Sequence, residues 1–186
     1  EPLSITDLDG LGRRFQKGDL KAFEALMGCF GEALARFAGH LVRDRNQAED
    51  LLQNLWFKAW VHRESLGAPA KVKAWLYRIA HREFLMQVRQ HHLASAIEEK
   101  DSIDAASSTE PSPAECLIRE EDLGRVKARL DELPERLRTI LWLAVVEEFP
   151  HAKIARVLDI PEGTCRSRLH YALRQLRQVI ENRGSS

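Results

Sequence analysis

The chain has 186 residues, 44% of them hydrophobic, with 28 basic residues against 28 acidic ones. That is enough apolar material for one domain or two small ones, and no run is long enough to span a bilayer. No signal peptide is visible, and Cys29, Cys116 and Cys165 are odd in number, far apart and without a CxxC pair. Neither a disulfide framework nor a zinc site is expected, and a reducing cytoplasm is the expected compartment. The balanced charge looks wrong for a partner such as DNA, but it is segregated. Between Ile97 and Cys116 six acids face Lys100 alone, whereas from Pro161 onward Arg166, Arg168, Arg174, Arg177 and Arg183 face only Glu162 and Glu181. Local charge sets the field that a polyanion meets, so neutrality overall does not exclude it.

Glycine and proline are sparse outside positions 61–70 and 105–113, and β-branched alternation is absent, which predicts an all-α protein. Helices are expected near 5–17, 20–43, 47–62 and 70–91. Residues 94–112 are acidic, serine-rich and poor in large apolar groups, a composition that cannot offset the entropy of ordering. A flexible acidic linker is expected there, with a first helical domain over 1–93 and a second over 113–186. In the second, helices are expected near 113–132, 134–148, 150–158 and 161–182, the first two opened by Pro113 and Pro134. Proline suits a first helical turn because its missing N–H would have no partner there.

At about 100° per residue, the segment 47–60 turns Ala48, Leu52, Leu55 and Ala59 to one side and Asp50, Gln53, Asn54 and Phe57 to the other. An aromatic ringed by polar groups has the composition of a protein-interface anchor, although a lone exposed aromatic is common. In the next helix Val72, Trp75, Ile79 and Met86 form one apolar stripe, and Tyr77, Ala80, Phe84 and Val88 a second. Between them Lys71, Arg78, Arg82 and Arg89 make a basic row about 27 Å long at 1.5 Å per residue. A basic row flanked by aromatics suits a single-stranded nucleic-acid track; the plainer alternative is a buried helix with a snorkelling basic edge. His81, His91 and His92 have no carboxylate spaced to complete a metal shell, so they read as structural or solvated, and no metal or other cofactor is expected.

The most specific pattern lies near the end. Ile154 to Leu158 and the helix beginning at Glu162 are separated by the break Asp159-Ile160-Pro161. In the second helix Cys165, Leu169, Ala172, Leu173, Leu176 and Ile180 share one side, while Ser167, His170, Tyr171 and Arg174 point the opposite way. Thr164 stands near the start, with Arg166 and Arg168 on the flanks. Two helices, a tight turn and a small, polar, basic outer face predict a helix-turn-helix that enters a DNA major groove. No nucleophile, base and orienting group can be assembled from the chain, so an enzyme is not expected.

Taken in order, these motifs resemble the extracytoplasmic-function (ECF) group of bacterial sigma factors, from about Gly18 to Ile180. Gly18-Asp-Leu-Lys-Ala-Phe23, Ala48-Glu-Asp-Leu-Leu-Gln53 with Ala59-Trp60, and Ala74-Trp-Leu-Tyr-Arg-Ile-Ala80 carry the likeness in the first domain. Leu133-Pro-Glu-Arg136, Ala152-Lys-Ile-Ala155 and Gly163 to His170 carry it in the second. The resemblance implies that Asp50, Gln53, Asn54 and Phe57 dock on the clamp helices of core RNA polymerase. It implies that Lys71, Trp75, Arg78, Arg82 and Arg89 read and open the minus-10 promoter element. It gives the minus-35 element to Thr164, Arg166, Ser167, Arg168, His170, Tyr171 and Arg174. It also implies control by an anti-sigma factor. The chain departs from the family pattern at Asn54, where an acid is common, at Arg82 and Met86, where many members have asparagine and aspartate, and at Pro150. Two alternatives accompany this reading: an autonomous helix-turn-helix regulator, and a sigma-like decoy that titrates an anti-sigma factor.

Overall fold

The computed structural model describes residues 5–42, 44–98 and 133–181, and every regular element among them is helical. They are α1 (Ile5–Gln16), α2 (Leu20–Leu41), α3 (Arg45–Val61), α4 (Val72–Glu98), α5 (Glu135–Val145), α6 (His151–Leu158) and α7 (Glu162–Glu181). Two 3-10 turns, Arg63–Ser65 and Pro69–Lys71, lie in the connection between α3 and α4. The residues fall into two compact units, one within 1–109 and the other within 110–186.

In the first unit α2 supplies the central buried stripe, Ala22, Leu26, Phe30, Leu34, Phe37 and Leu41, at the three- and four-residue spacing of one helix face. Against it lie Leu51, Leu55, Trp56 and Ala59 of α3, and Val72, Leu76, Tyr77, Ala80 and Phe84 of α4. The helix starts are chemically marked. Asp19 caps α2 by accepting from the amides of Lys21 (2.9 Å) and Ala22 (3.2 Å), and Asp44 caps α3 by accepting from Gln47 (2.9 Å). The Arg14 guanidinium, 2.8 Å away, holds the Asp19 carboxyl below its ordinary range, and the capped amides add to this. Between α1 and α2 the chain turns at Gly18, whose φ of 85° is the left-handed region where a side chain would be strained.

In the second unit Leu137, Ile140, Leu141 and Leu143 of α5 pack with Ile154, Val157 and Leu158 of α6 and with Cys165, Leu169 and Ala172 of α7. Asp159 ends α6 in the left-handed conformation (φ 57°), and the amide of Ile160 closes the turn on the Ala155 carbonyl at 3.0 Å.

Several expected boundaries and faces differ. The helix expected over 134–148 stops at Val145, because Glu148 adopts φ 53°, which no right-handed helix accommodates. The helix expected near 70–91 runs on to Glu98, so the first five residues of the expected linker 94–112 are helical. Nothing from Ala94 to Glu98 is a glycine or proline stop, and alanine favours helix. The remaining linker and the helix expected near 113–132 lie outside the described residues. In α3, Leu51 and Trp56 are buried while Ala48 and Leu52 are only half-buried, because the helix is held between α2 and α4 and buries a wider arc than one stripe. In α4 the expected stripe of Val72, Trp75, Ile79 and Met86 is not a core face. Val72 is buried, Trp75 and Ile79 are half-buried, and Met86 is 45% exposed. Leu173 of α7, expected inside, is likewise exposed.

Candidate nucleic-acid interface

The outer ridge of α3 carries Asp50, Gln53, Asn54 and Phe57, all exposed, with Phe57 at 67%. Val61, one turn beyond Phe57 and also exposed, extends that apolar point. The sequence held the signal for Val61 in its four-residue spacing from Phe57. Polar groups therefore lead along one face to a two-residue apolar end left exposed among the described residues.

The half-buried stripe of α4 has a different use. Trp75, Arg78, Ile79, Arg82, Glu83 and Met86 form one side of an open groove of about 480 Å³, and Lys58, His62 and Ser65 form the other. Its walls are apolar at Trp75, Ile79 and Met86 and cationic at Arg78 and Arg82. The floor holds an ion pair, Lys58 Nζ to a Glu83 carboxylate oxygen at 2.8 Å, with Glu83 almost covered and Lys58 a third exposed. Such a groove accepts a flat aromatic ligand between apolar walls and draws in an anion at its rim. Of the five residues expected on this track, it gathers Trp75, Arg78 and Arg82. Lys71 stands in the preceding 3-10 turn and Arg89 nearly two turns beyond Arg82; both are exposed and neither lines the groove. Sequence reasoning missed Lys58, His62, Ser65 and Glu83, because a groove joins elements whose spacing along the chain carries no periodic signal.

The aromatic side chains fix this region from behind. Phe15 is fully buried and stacks on Phe23 (5.7 Å between centroids), with Trp60 at 6.4 Å and Trp75 edge-on at 6.1 Å. The Arg63 guanidinium lies 4.8 Å from the Trp60 ring centroid and donates to the Trp60 carbonyl at 2.9 Å. His81, on the buried side of α4, has its pKa lowered to about 4 by burial, so its ring is neutral near pH 7. Among the described residues no group of three or more metal-ligating side chains gathers.

In the second unit α6, the Asp159 turn and α7 form the helix-turn-helix. The outward face of α7 presents Ser167, His170, Tyr171 and Arg174, all exposed. Arg166 is exposed, while Thr164 and Arg168 are half-buried. The Ser167 hydroxyl donates to the Thr164 carbonyl (3.1 Å), Arg166 pairs with Glu162 (3.3 Å), and the Arg174 guanidinium lies 5.5 Å from the Tyr171 ring centroid. Cys165 faces the core, and burial pushes its thiol up, with Glu162 adding to the rise; it is a packing group rather than a nucleophile. A short first helix, a tight turn and an exposed polar second helix have the geometry that places base-reading side chains in a major groove. Among the described residues no helix is long and apolar enough to cross a membrane.

Comparison with known proteins agrees with this geometry. The sigma-70 region 2 family model matches residues 26–93 and the sigma-70 region 4 model matches residues 123–176. The ECF RNA polymerase sigma factor SigL of Mycobacterium tuberculosis is 30% identical over 152 residues, covering 81% of this chain and 84% of its own. The ECF RNA polymerase sigma-E factor of Escherichia coli is 30% identical over 180 residues, covering 93% of this chain and 92% of its own. Among solved structures, the sigma factor RpoE of Bartonella quintana, in complex with the anti-sigma factor NepR, superposes with a TM-score of 0.69 at 27% identity, covering 87% of this chain and 98% of that one.

Proposed function

Because the chain belongs to the ECF RNA polymerase sigma factors, we propose a division of labour among the three surfaces just described. It lends promoter specificity to core RNA polymerase and carries no chemistry of its own. The α3 ridge of Asp50, Gln53, Asn54 and Phe57 docks on the polymerase. The α4 groove, with Trp75, Arg78 and Arg82 in its wall and Lys71 and Arg89 along its approach, takes the opened minus-10 strand. The α7 face of Thr164, Arg166, Ser167, Arg168, His170, Tyr171 and Arg174 reads the minus-35 duplex. The observation that carries the proposal is the groove: apolar walls beside arginines suit an unstacked base and its phosphate better than they suit a duplex. The domain limits that go with this reading are 1–93 for polymerase and minus-10 binding and 113–186 for minus-35 binding, joined by residues 94–112.

Similarity to a sigma factor solved with an anti-sigma factor supports control of this chain by such a partner, and a cytoplasmic site of action follows from the same reading. Transcription in vitro with purified core polymerase on a promoter library tests it. A promoter-specific transcript is expected, and its absence favours the decoy reading, which Arg82 and Met86 keep open because they stand where the family commonly has other residues. Asp50→Arg separates docking from DNA reading: core affinity is expected to fall by about 2–5 kcal/mol, the scale of a lost interfacial charge contact. A folded Asp50→Arg protein that still pulls down core polymerase at full strength sinks the α3 assignment.

A further inference from the structure

The groove is only as well defined as the connection that forms its second wall. Residues 62–71 hold themselves together with few bonds: the Ser65 amide and hydroxyl both donate to the His62 carbonyl (2.9 and 2.7 Å), the Leu66 amide donates to the Arg63 carbonyl (3.2 Å), and the Lys71 amide donates to the Ala68 carbonyl (2.8 Å). Leu66 is fully buried, but Gly67 and Ala70 are exposed. From outside, Arg63 ties the start of the segment to Trp60 of α3, and α1 holds the stretch beyond it. The Gln16 side-chain amide donates to the carbonyls of Leu66 (2.8 Å) and Glu64 (3.4 Å), the two residues that flank groove-lining Ser65. One turn earlier, the Gly12 backbone lies so close to the segment that a Cβ there would stand 2.5 Å from the Pro69 carbonyl oxygen. The residue next to Gln16, Phe15, meets the opposite wall edge-on at Trp75. Adjacent residues of α1 thus touch both sides of the groove, although α1 contributes no side chain to it.

We propose that α1 is the gauge of this groove, and that Gln16 is a positioning residue for minus-10 readout because it fixes the Ser65 wall relative to Trp75. This rests on the reading of the groove as the minus-10 site. A wall free to shift leaves the strand bound through its phosphates at Arg78 and Arg82 while it loses shape selection for the base between the walls. Affinity for core polymerase, assigned to the far ridge of α3, does not depend on it.

The test uses full-length protein assembled with core polymerase, titrated with fluorescent single-stranded oligonucleotides that carry the preferred minus-10 sequence or single-base changes of it. Gln16→Leu is expected to lower discrimination between preferred and changed bases about three- to tenfold, the scale of one net hydrogen bond, with core affinity unaltered. Gly12→Ala, which forces α1 off the Pro69 carbonyl, is expected to show the same pattern. Unchanged discrimination in both variants overturns the proposal. So does a loss of discrimination that is matched by equal losses of core affinity and thermal stability, because that marks general destabilisation. Arg82→Ala is measured alongside. If it leaves minus-10 affinity and preference intact, the groove is not the minus-10 site and the proposal falls with that reading. If Arg82→Ala weakens binding while Gln16→Leu and Gly12→Ala leave discrimination unchanged, the groove assignment stands and the positioning role alone fails.

Discussion

The nucleic-acid surfaces proposed for the two units are built on opposite plans. In the second, the reading surface is the outer face of one helix, and its side chains stand in solvent with their backs to a small aliphatic core. In the first, it is a recess whose walls are half inside the structure: Trp75 touches buried Phe15, Glu83 is nearly covered, and Ser65 lies between two residues whose carbonyls a distant glutamine holds. A surface made of exposed residues can change its specificity at little cost to stability, since substitutions away from the core rarely exceed half a kcal/mol. A recess made of half-buried residues couples recognition to folding. Substitutions at the covered residues of the recess should therefore move both quantities, and those on the exposed face of α7 should move binding alone.

The sharpest way to break that comparison is to cut an ion pair in each unit. Lys58 and Glu83 pair at 2.8 Å with Glu83 11% exposed, whereas Arg166 and Glu162 pair at 3.3 Å with both side chains at least half exposed. Lys58→Ala leaves a covered carboxylate without its cation and is expected to cost about 3 kcal/mol of unfolding free energy, the lower end of the range for broken buried pairs because Lys58 itself stays partly wet. Arg166→Ala should cost under about 1 kcal/mol. Chemical denaturation of both variants checks this, and equal small losses would mean that the groove floor is as solvated as the α7 surface.

A second test uses pH. His81 has a folded pKa of about 4 against an ordinary value of 6.5, so the unfolded chain takes up its proton first as pH falls. The associated stability is fully present above pH 6.5 and is lost progressively between 6.5 and 4; at pH 5 the loss is about 2 kcal/mol. Denaturation midpoints at pH 7.5 and pH 5 measure it, and His81→Gln should flatten the difference. Cys165, a buried thiol of the second unit, has its pKa raised, so it stays neutral across the same range and adds no slope. The Glu135 carboxyl, raised by burial, gains stability as pH falls and opposes the His81 trend. An equal pH response in a His81→Gln protein would assign the effect to other groups.

The same contrast explains what the sequence could disclose. Helix faces are periodic, so Phe57 outside, Cys165 and Leu169 inside, and the exposed Ser167, His170, Tyr171 and Arg174 could all be placed by angle alone. Caps are local chemistry, so the helix starts after Asp19 and Pro134 were legible too. What escaped was tertiary. Whether Leu51 or Ala48 is the better-covered residue depends on α3 having helices on two sides, and the groove needs Lys58, Ser65 and Glu83 brought together from three elements. Left-handed Glu148 has no glycine or asparagine to announce it, and so the end of α5 was placed three residues late.

The smallest expected effect tests the plan of the second unit from within. Arg174 lies on the outward face of α7, its guanidinium near the Tyr171 ring, and Arg168 is half-buried on the flank. A guanidinium held over an aromatic ring keeps its planar fork oriented, which suits two parallel hydrogen bonds to a guanine edge. A flanking arginine is better placed for phosphate, where it adds affinity and salt dependence without sequence information. Arg174→Ala should therefore reduce preference at one or two minus-35 positions on the order of tenfold, about 1.4 kcal/mol, with thermal stability unmoved. Arg168→Ala should weaken all minus-35 sequences alike and flatten the dependence of affinity on salt. Binding across a randomised minus-35 element at two salt concentrations separates them. Should Arg168→Ala alter the preferred sequence and Arg174→Ala leave it intact, α7 enters the groove rotated from the orientation its exposed face defines.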